Sequence, residues 1–138
     1  MKRMILCGAL SAALHCAQAA TPAELLAGYE AQARKADPAF AGFSAERGQR
    51  LFTARHGGEW SCATCHGNDP TGAGKHARTG KSIAALAPTT NPQRFSDAAK
   101  VEKWFRRNCK DVLLRECTAL EKGDVMAFVL RAGAGSQP

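Results

Sequence analysis

Long apolar runs are missing from this chain, and with them any segment of the ~20 residues that a spanning helix requires. The one apolar stretch near the start, residues 4–14, is too short. It follows the basic pair Lys2-Arg3 and precedes Ala17-Gln18-Ala19, the pattern of a cleaved export signal. Residues 1–19 are read as a signal peptide, with Ala20 beginning the mature chain and no membrane anchor left after cleavage. A lipoprotein anchor at Cys16 is disfavoured by the bulky His15 before it. Period-two alternation is also lacking, which argues against a β-sandwich, a barrel or a βαβ unit. Methionine is scarce: of three, only Met126 survives cleavage. Loss of Lys2 and Arg3 takes the formal charge from +7 to +5. Export to the periplasm places the basic chain away from nucleic acid, so its charge points to other partners.

What is present is helical. Thr21 and Glu24 form a capping box with Pro22 at the first helical position, predicting a helix over 22–36 that Asp37-Pro38 stops. A second helix follows Ser44 and carries Gly48, Leu51 and Phe52. A third follows Ser96-Asp97 and is expected to end near Cys109. A fourth opens on the box Thr118/Glu121 and runs to Gly133, with Val125, Phe128, Val129 and Ala132 as its core face. Between residues 67 and 95 the chain is rich in Gly, Pro, Thr and Asn. So long an aperiodic stretch is unusual in a small domain unless it wraps a large prosthetic group. The expected organisation is a helical extension over 20–43, one domain over 44–133, and a flexible tail over 134–138.

Six cysteines become four after cleavage, lying in sequence as Cys62/Cys65 and Cys109/Cys117. The first two belong to Cys62-Ala63-Thr64-Cys65-His66, the C-x-x-C-H signature of covalent haem attachment. Two thiols at this spacing add to the two vinyl groups on one porphyrin edge, and the histidine that follows can bind the iron from one side. Oxidising export agrees, because bacterial haem attachment takes place outside the cytoplasm. A thioredoxin-like dithiol would need a βαβ context. A structural zinc site would need a fourth ligand beside Cys62, Cys65 and His66. One haem c with its iron is therefore the expected cofactor.

At this point residues 44–132 resemble the class I cytochromes c. Arg47-Gly48-Gln49-Arg50-Leu51-Phe52 is similar to their N-terminal helix, and the helix through Phe128 to the one that crosses it. Gly48 would let the two backbones approach closely. Pro88 is similar to the proline whose carbonyl accepts the proximal histidine N–H, a bond that would orient His66. The implied fold is all-α, a class I cytochrome c fold with one covalently attached haem and an extra N-terminal helix.

Function then turns on the other side of the iron, where a strong permanent ligand favours electron transfer and a weak one admits gases. The candidates are Met126, His56, His76 and Asn108. Met126 falls inside the last helix and reads as packing. His56 and His76 read as loop residues. Val101, Trp104, Phe105 and Asn108 fall at i, i+3, i+4 and i+7, which puts one amide on a face with large apolar side chains. Asn108 is then either a C-terminal helix cap or an iron ligand.

The block Val101–Cys109, with Arg115-Glu116-Cys117-Thr118, Glu121-Lys122-Gly123-Asp124, Gly80-Lys81-Ser82-Ile83 and Asn91-Pro92-Gln93-Arg94-Phe95, resembles the sphaeroides haem protein (SHP) group of oxygen-binding c-type cytochromes. The resemblance implies Asn108 as a displaceable sixth ligand to ferric iron and a disulfide between Cys109 and Cys117. It implies oxygen, nitric oxide or a similar diatomic as ligand. It also implies a dihaem cytochrome c or a membrane cytochrome b as electron donor. Trp104 and Phe105 are expected to wall the haem pocket. A plain electron carrier with a permanent Met or His ligand is the alternative. Lys100, Lys103, Arg106, Arg107 and Lys110 form a basic face on the third helix, either a solvated surface or a docking patch for an acidic redox partner.

Overall fold

The computed structural model describes residues 19–135. The leader 1–19, except residue 19, and residues 136–138 of the tail lie outside the described residues. Five helices and one small hairpin follow in chain order: α1 Pro22–Ala36, α2 Ala45–Thr53, α3 Cys62–His66, β1 Gly74–Lys75, β2 Ser82–Ile83, α4 Ala98–Leu113 and α5 Ala119–Ala134. The fold is the expected all-α one, with α1 as its added N-terminal helix.

Local chemistry explains where the helices begin. Thr21 and Glu24 close a reciprocal capping box on α1, and Thr118 and Glu121 do the same on α5. Ser44 caps α2 and Asp97 caps α4. The third expected helix, α4, extends to Leu113 and does not stop near Cys109, because its buried face continues through Cys109 and Val112. It closes on Leu114, which adopts the left-handed conformation at φ 59°. Asn108 is therefore an interior helical residue and not a cap.

The core is set by the crossing of α2 on α5. A Cβ on Gly48 would lie 1.9 Å from the Asp124 carbonyl oxygen, so the two backbones touch at this point. Phe52 of α2 is fully buried there and lies 5.4 Å from Phe128 of α5, with Met126 and Val129 completing the cluster. One charge is buried in the same crossing. Asp124 accepts from Arg47 Nε at 2.7 Å, from Arg47 Nη2 at 2.9 Å and from the Ser44 backbone N–H at 2.7 Å. Asp124→Ala leaves those donors unmatched and should cost about 3 kcal/mol in urea unfolding. A loss under about 1 kcal/mol would show that water replaces the carboxylate.

The added helix is tied in by polar chemistry as well as packing. Tyr29 of α1, only 3% exposed, donates its hydroxyl to Glu102 of α4, and Lys122 of α5 donates to the same carboxylate at 2.7 Å. Burial alone would raise the Glu102 carboxyl, but the hydrogen bonds from Lys122 and Tyr29 outweigh it and hold the group below its ordinary value. The Tyr29 ring meets Phe105 of α4 edge-on at 6.1 Å. Three helices thus converge around one side chain of the extension.

The aperiodic stretch is held by backbone bonds. The Pro70 carbonyl accepts from both Leu86 and Ala87 N–H at 2.9 Å, and Asn91 donates its side-chain amide to the Ala85 carbonyl. Within it the hairpin β1–β2 pairs antiparallel, Gly74 with Ile83 and Lys75 with Ser82. Two-residue strands are too short for alternation to reveal them. No helix among the described residues is long and apolar enough to cross a membrane.

Candidate haem site

The attachment motif is itself a helix. Ser61 and Thr64 make a capping box that starts α3, and Gly67 ends it at φ 71°, leaving Cys62, Cys65 and His66 on about one and a half turns. β1 packs directly on this segment: a Cβ on Gly74 would lie 2.3 Å from the Cys65 carbonyl oxygen. The backbone N–H of Ala77 donates to Cys65 Sγ at 3.4 Å. His66 faces α2, its ring 6.2 Å from that of Phe52. Burial first, and then the positive charge of Arg94, push the His66 imidazole down to about 4. The ring is neutral across the working range, the form that binds a metal. Neither ring nitrogen of His66 is hydrogen-bonded to Pro88 among the described residues, so that bond rests on the resemblance.

Cys62 and Cys65 are unpaired. Burial pushes the Cys62 thiol up to about 11, with the neighbouring Cys65 adding to it. A dithiol redox centre needs the reverse, an attacking thiol lowered towards neutrality. Among the described residues no cluster of His, Cys, Asp and Glu is arranged to hold a metal ion, so a zinc site lacks its other ligands. Two unpaired thiols beside a buried imidazole fit covalent haem attachment.

Of the sixth-ligand candidates, Met126 is 0% exposed within the core cluster. His56 donates from Nε2 to the Leu51 carbonyl at 2.9 Å, and His76 Nδ1 accepts the N–H groups of Arg78 and Thr79. Asn108 differs from all three. It is half-buried, one turn beyond Phe105, and its side-chain amide has no hydrogen bond among the described residues. Phe105 is half-buried against the core. Trp104 is 39% exposed, with the Arg107 guanidinium 5.7 Å over its ring.

The residue after Asn108 is bridged. Cys109 and Cys117 form a disulfide with Cα atoms 5.6 Å apart, eight residues apart in sequence. Closing so short a loop is worth about 2.5 kcal/mol in chain entropy. The double variant Cys109→Ser/Cys117→Ser should lower unfolding free energy by that amount in guanidinium titration; no change would mean that native strain cancels the entropy.

The comparisons with known proteins bear on this geometry. A family model described as a domain of unknown function (DUF1924) matches residues 38–129. The cytochrome c-type protein SHP of Cereibacter sphaeroides is 47% identical over 133 residues, covering 94% of this chain and 98% of that protein. The chain belongs to the SHP family of c-type cytochromes. The structure of oxidised SHP, described as an oxygen-binding cytochrome c, matches with a TM-score of 0.73 at 49% identity, covering 82% of this chain and 98% of that one. The solution structure of cytochrome c'' from Methylophilus methylotrophus, which concerns haem-ligand detachment, matches at 0.71 and 34% identity, covering 79% and 91%.

As a member of the SHP family the chain is a haem c protein, and its iron supplies the redox and ligand-binding centre. A further side chain fits the group. Arg94 is half-buried, its burial lowers its pKa, and no carboxylate pairs with it among the described residues. It stands close enough to His66 to depress that imidazole. A guanidinium left without an anion beside His66 suits the haem propionates. The next residue, Phe95, is held at φ 66°, an unusual backbone for a bulky residue that fixes the turn carrying Arg94. The sequence offered Arg94 only as one letter of the block 91–95, with no sign of its role.

Proposed function

We propose that this SHP-family cytochrome binds oxygen, nitric oxide or a similar diatomic molecule at the ferrous haem once Asn108 has left the iron. Electrons come from another cytochrome, a dihaem cytochrome c or a membrane cytochrome b, in the periplasm. Cys62 and Cys65 anchor the haem, His66 is the proximal ligand, Pro88 orients it, and Trp104 and Phe105 border the distal side. The observation that carries the reading is Asn108 itself: an interior helical amide, half-buried and without a hydrogen-bond partner among the described residues. An amide oxygen is a hard, neutral donor that suits ferric iron better than ferrous. Reduction weakens its hold, and the freed amide N–H is then available to donate to the incoming molecule.

The exposed Lys100, Lys103, Arg106, Arg107 and Lys110 on α4 are read as the docking patch for an acidic donor. Reduction by such a donor should slow steeply with added salt, and a salt-independent rate would remove the patch from the scheme.

The deciding experiment is the optical spectrum of the ferric and dithionite-reduced holoprotein with and without carbon monoxide. A high-spin ferrous spectrum that shifts with carbon monoxide is expected. A low-spin ferrous spectrum indifferent to carbon monoxide would leave an electron carrier with a retained ligand.

A further inference from the structure

We propose that the haem-attachment edge carries a binding site for a small oxoanion, in the cavity of about 240 Å³ lined by Trp60, His76, Arg78, Thr79, Arg107 and Asp111. Two arginines, Arg78 and Arg107, line this concavity, and each guanidinium lies over an indole. Arg78 lies 4.9 Å over the Trp60 ring and Arg107 lies 5.7 Å over the Trp104 ring. Stacking of this kind holds an arginine without using up its N–H donors. Neither guanidinium is paired with a carboxylate among the described residues.

The neutral donors point the same way. His76 Nδ1 accepts two backbone N–H groups, from Arg78 and Thr79, at 3.3 Å each. In the neutral ring the proton is then on Nε2, which makes His76 a donor to its surroundings. The Thr79 hydroxyl is a further donor on the same wall. The loop carrying these groups is pre-formed: it is the tip of the β1–β2 hairpin, closed by bonds from the His76 N–H to the Lys81 carbonyl and from the Gly80 N–H to the His76 carbonyl, both 2.8 Å. Asp111 is the one anionic group on the lining, and it opposes anion entry.

The position gives the site a consequence. Trp60 is two residues from Cys62, and Ala77, between His76 and Arg78, donates its N–H to Cys65 Sγ. An anion held here puts negative charge beside the anchored porphyrin edge. That charge stabilises ferric over ferrous iron, so binding lowers the reduction potential, and by linkage reduction weakens anion binding.

The test uses the holoprotein with sodium sulfate as probe against sodium chloride at equal ionic strength. Calorimetry should show saturable one-to-one sulfate binding, and the midpoint potential should be lower in sulfate than in chloride. Arg78→Gln and Arg107→Gln should each weaken sulfate binding at least tenfold and abolish the difference in potential. Asp111→Asn should tighten binding, a gain that no folding defect imitates. The proposal is overturned if sulfate shows no saturable binding, or if binding is indifferent to all three substitutions. Calorimetry on the ferric protein reads the anion alone, so the result is independent of whether Asn108 ligates the iron.

Discussion

Gly48→Ala should destabilise the protein by about 3 kcal/mol, at the upper end of what overpacking costs. The added Cβ would lie 1.9 Å from the Asp124 carbonyl oxygen, 2.4 Å from its carbonyl carbon and 2.9 Å from the Val125 nitrogen. All three are backbone atoms of α5, so no rotamer change relieves the clash and the helices must separate. Separation loosens the Phe52–Phe128 contact and pulls Asp124 from Arg47 and Ser44. Against this, alanine gains about 1 kcal/mol of helix propensity over glycine, too little to compensate. For a domain of this size the net loss corresponds to a drop in Tm on the order of 10 °C or more. Gly28 is the control. It lies inside α1 with open space where a Cβ would go, so Gly28→Ala should raise stability by about 0.5–1 kcal/mol. Thermal unfolding by circular dichroism compares the two. If both substitutions move Tm upward, the crossing is looser than the structure shows.

That crossing also shows how far the sequence could be read. Gly48 was legible through the resemblance of Arg47–Phe52 to the N-terminal helix of class I cytochromes c, where a glycine lets two helices touch. The helix starts were legible because capping boxes are local: Thr21 with Glu24 and Thr118 with Glu121 need only three residues to declare themselves. The attachment motif declares itself in five. What stayed hidden depends on partners far along the chain. Nothing near Asp124 marks it as buried, since Arg47 lies 77 residues away. The same is true of Glu102, whose partners Tyr29 and Lys122 come from two other helices. The last turn of α4 is hidden because Cys109 reads as a natural end. The charged pair Lys110-Asp111 hides the buried Val112 that carries the helix onward. Arg94 escaped because an unpaired half-buried cation is visible only once every neighbouring carboxylate has been placed.

The extended α4 sharpens the expectation for Asn108→Ala. A cap would lose about 1 kcal/mol on this change. An interior helical position gains from alanine instead, since Ala is the better helix former by a few tenths of a kcal/mol. The substitution should therefore leave Tm unchanged or slightly raised while acting on the iron. With the amide gone, the ferric spectrum should change, because on the proposed scheme the iron loses its oxygen ligand. Exogenous imidazole, which on the proposed scheme has to displace Asn108 in the parent, should bind the ferric variant at least tenfold more tightly, or about 1.4 kcal/mol. Carbon monoxide binding to the ferrous form should hardly change in rate, because on the proposed scheme reduction releases the amide in the parent. The ferric arm thus responds while the ferrous arm does not, a split that general damage to the pocket would not produce. An unchanged ferric spectrum with unchanged imidazole affinity would remove Asn108 from the iron. The sixth ligand would then have to be Met126, His56 or His76. Each of these is committed elsewhere in the fold, Met126 to the core and the two imidazoles to nearby backbone. Freeing any of them requires a rearrangement that a difference in hydrogen exchange between the apo and holo proteins would reveal.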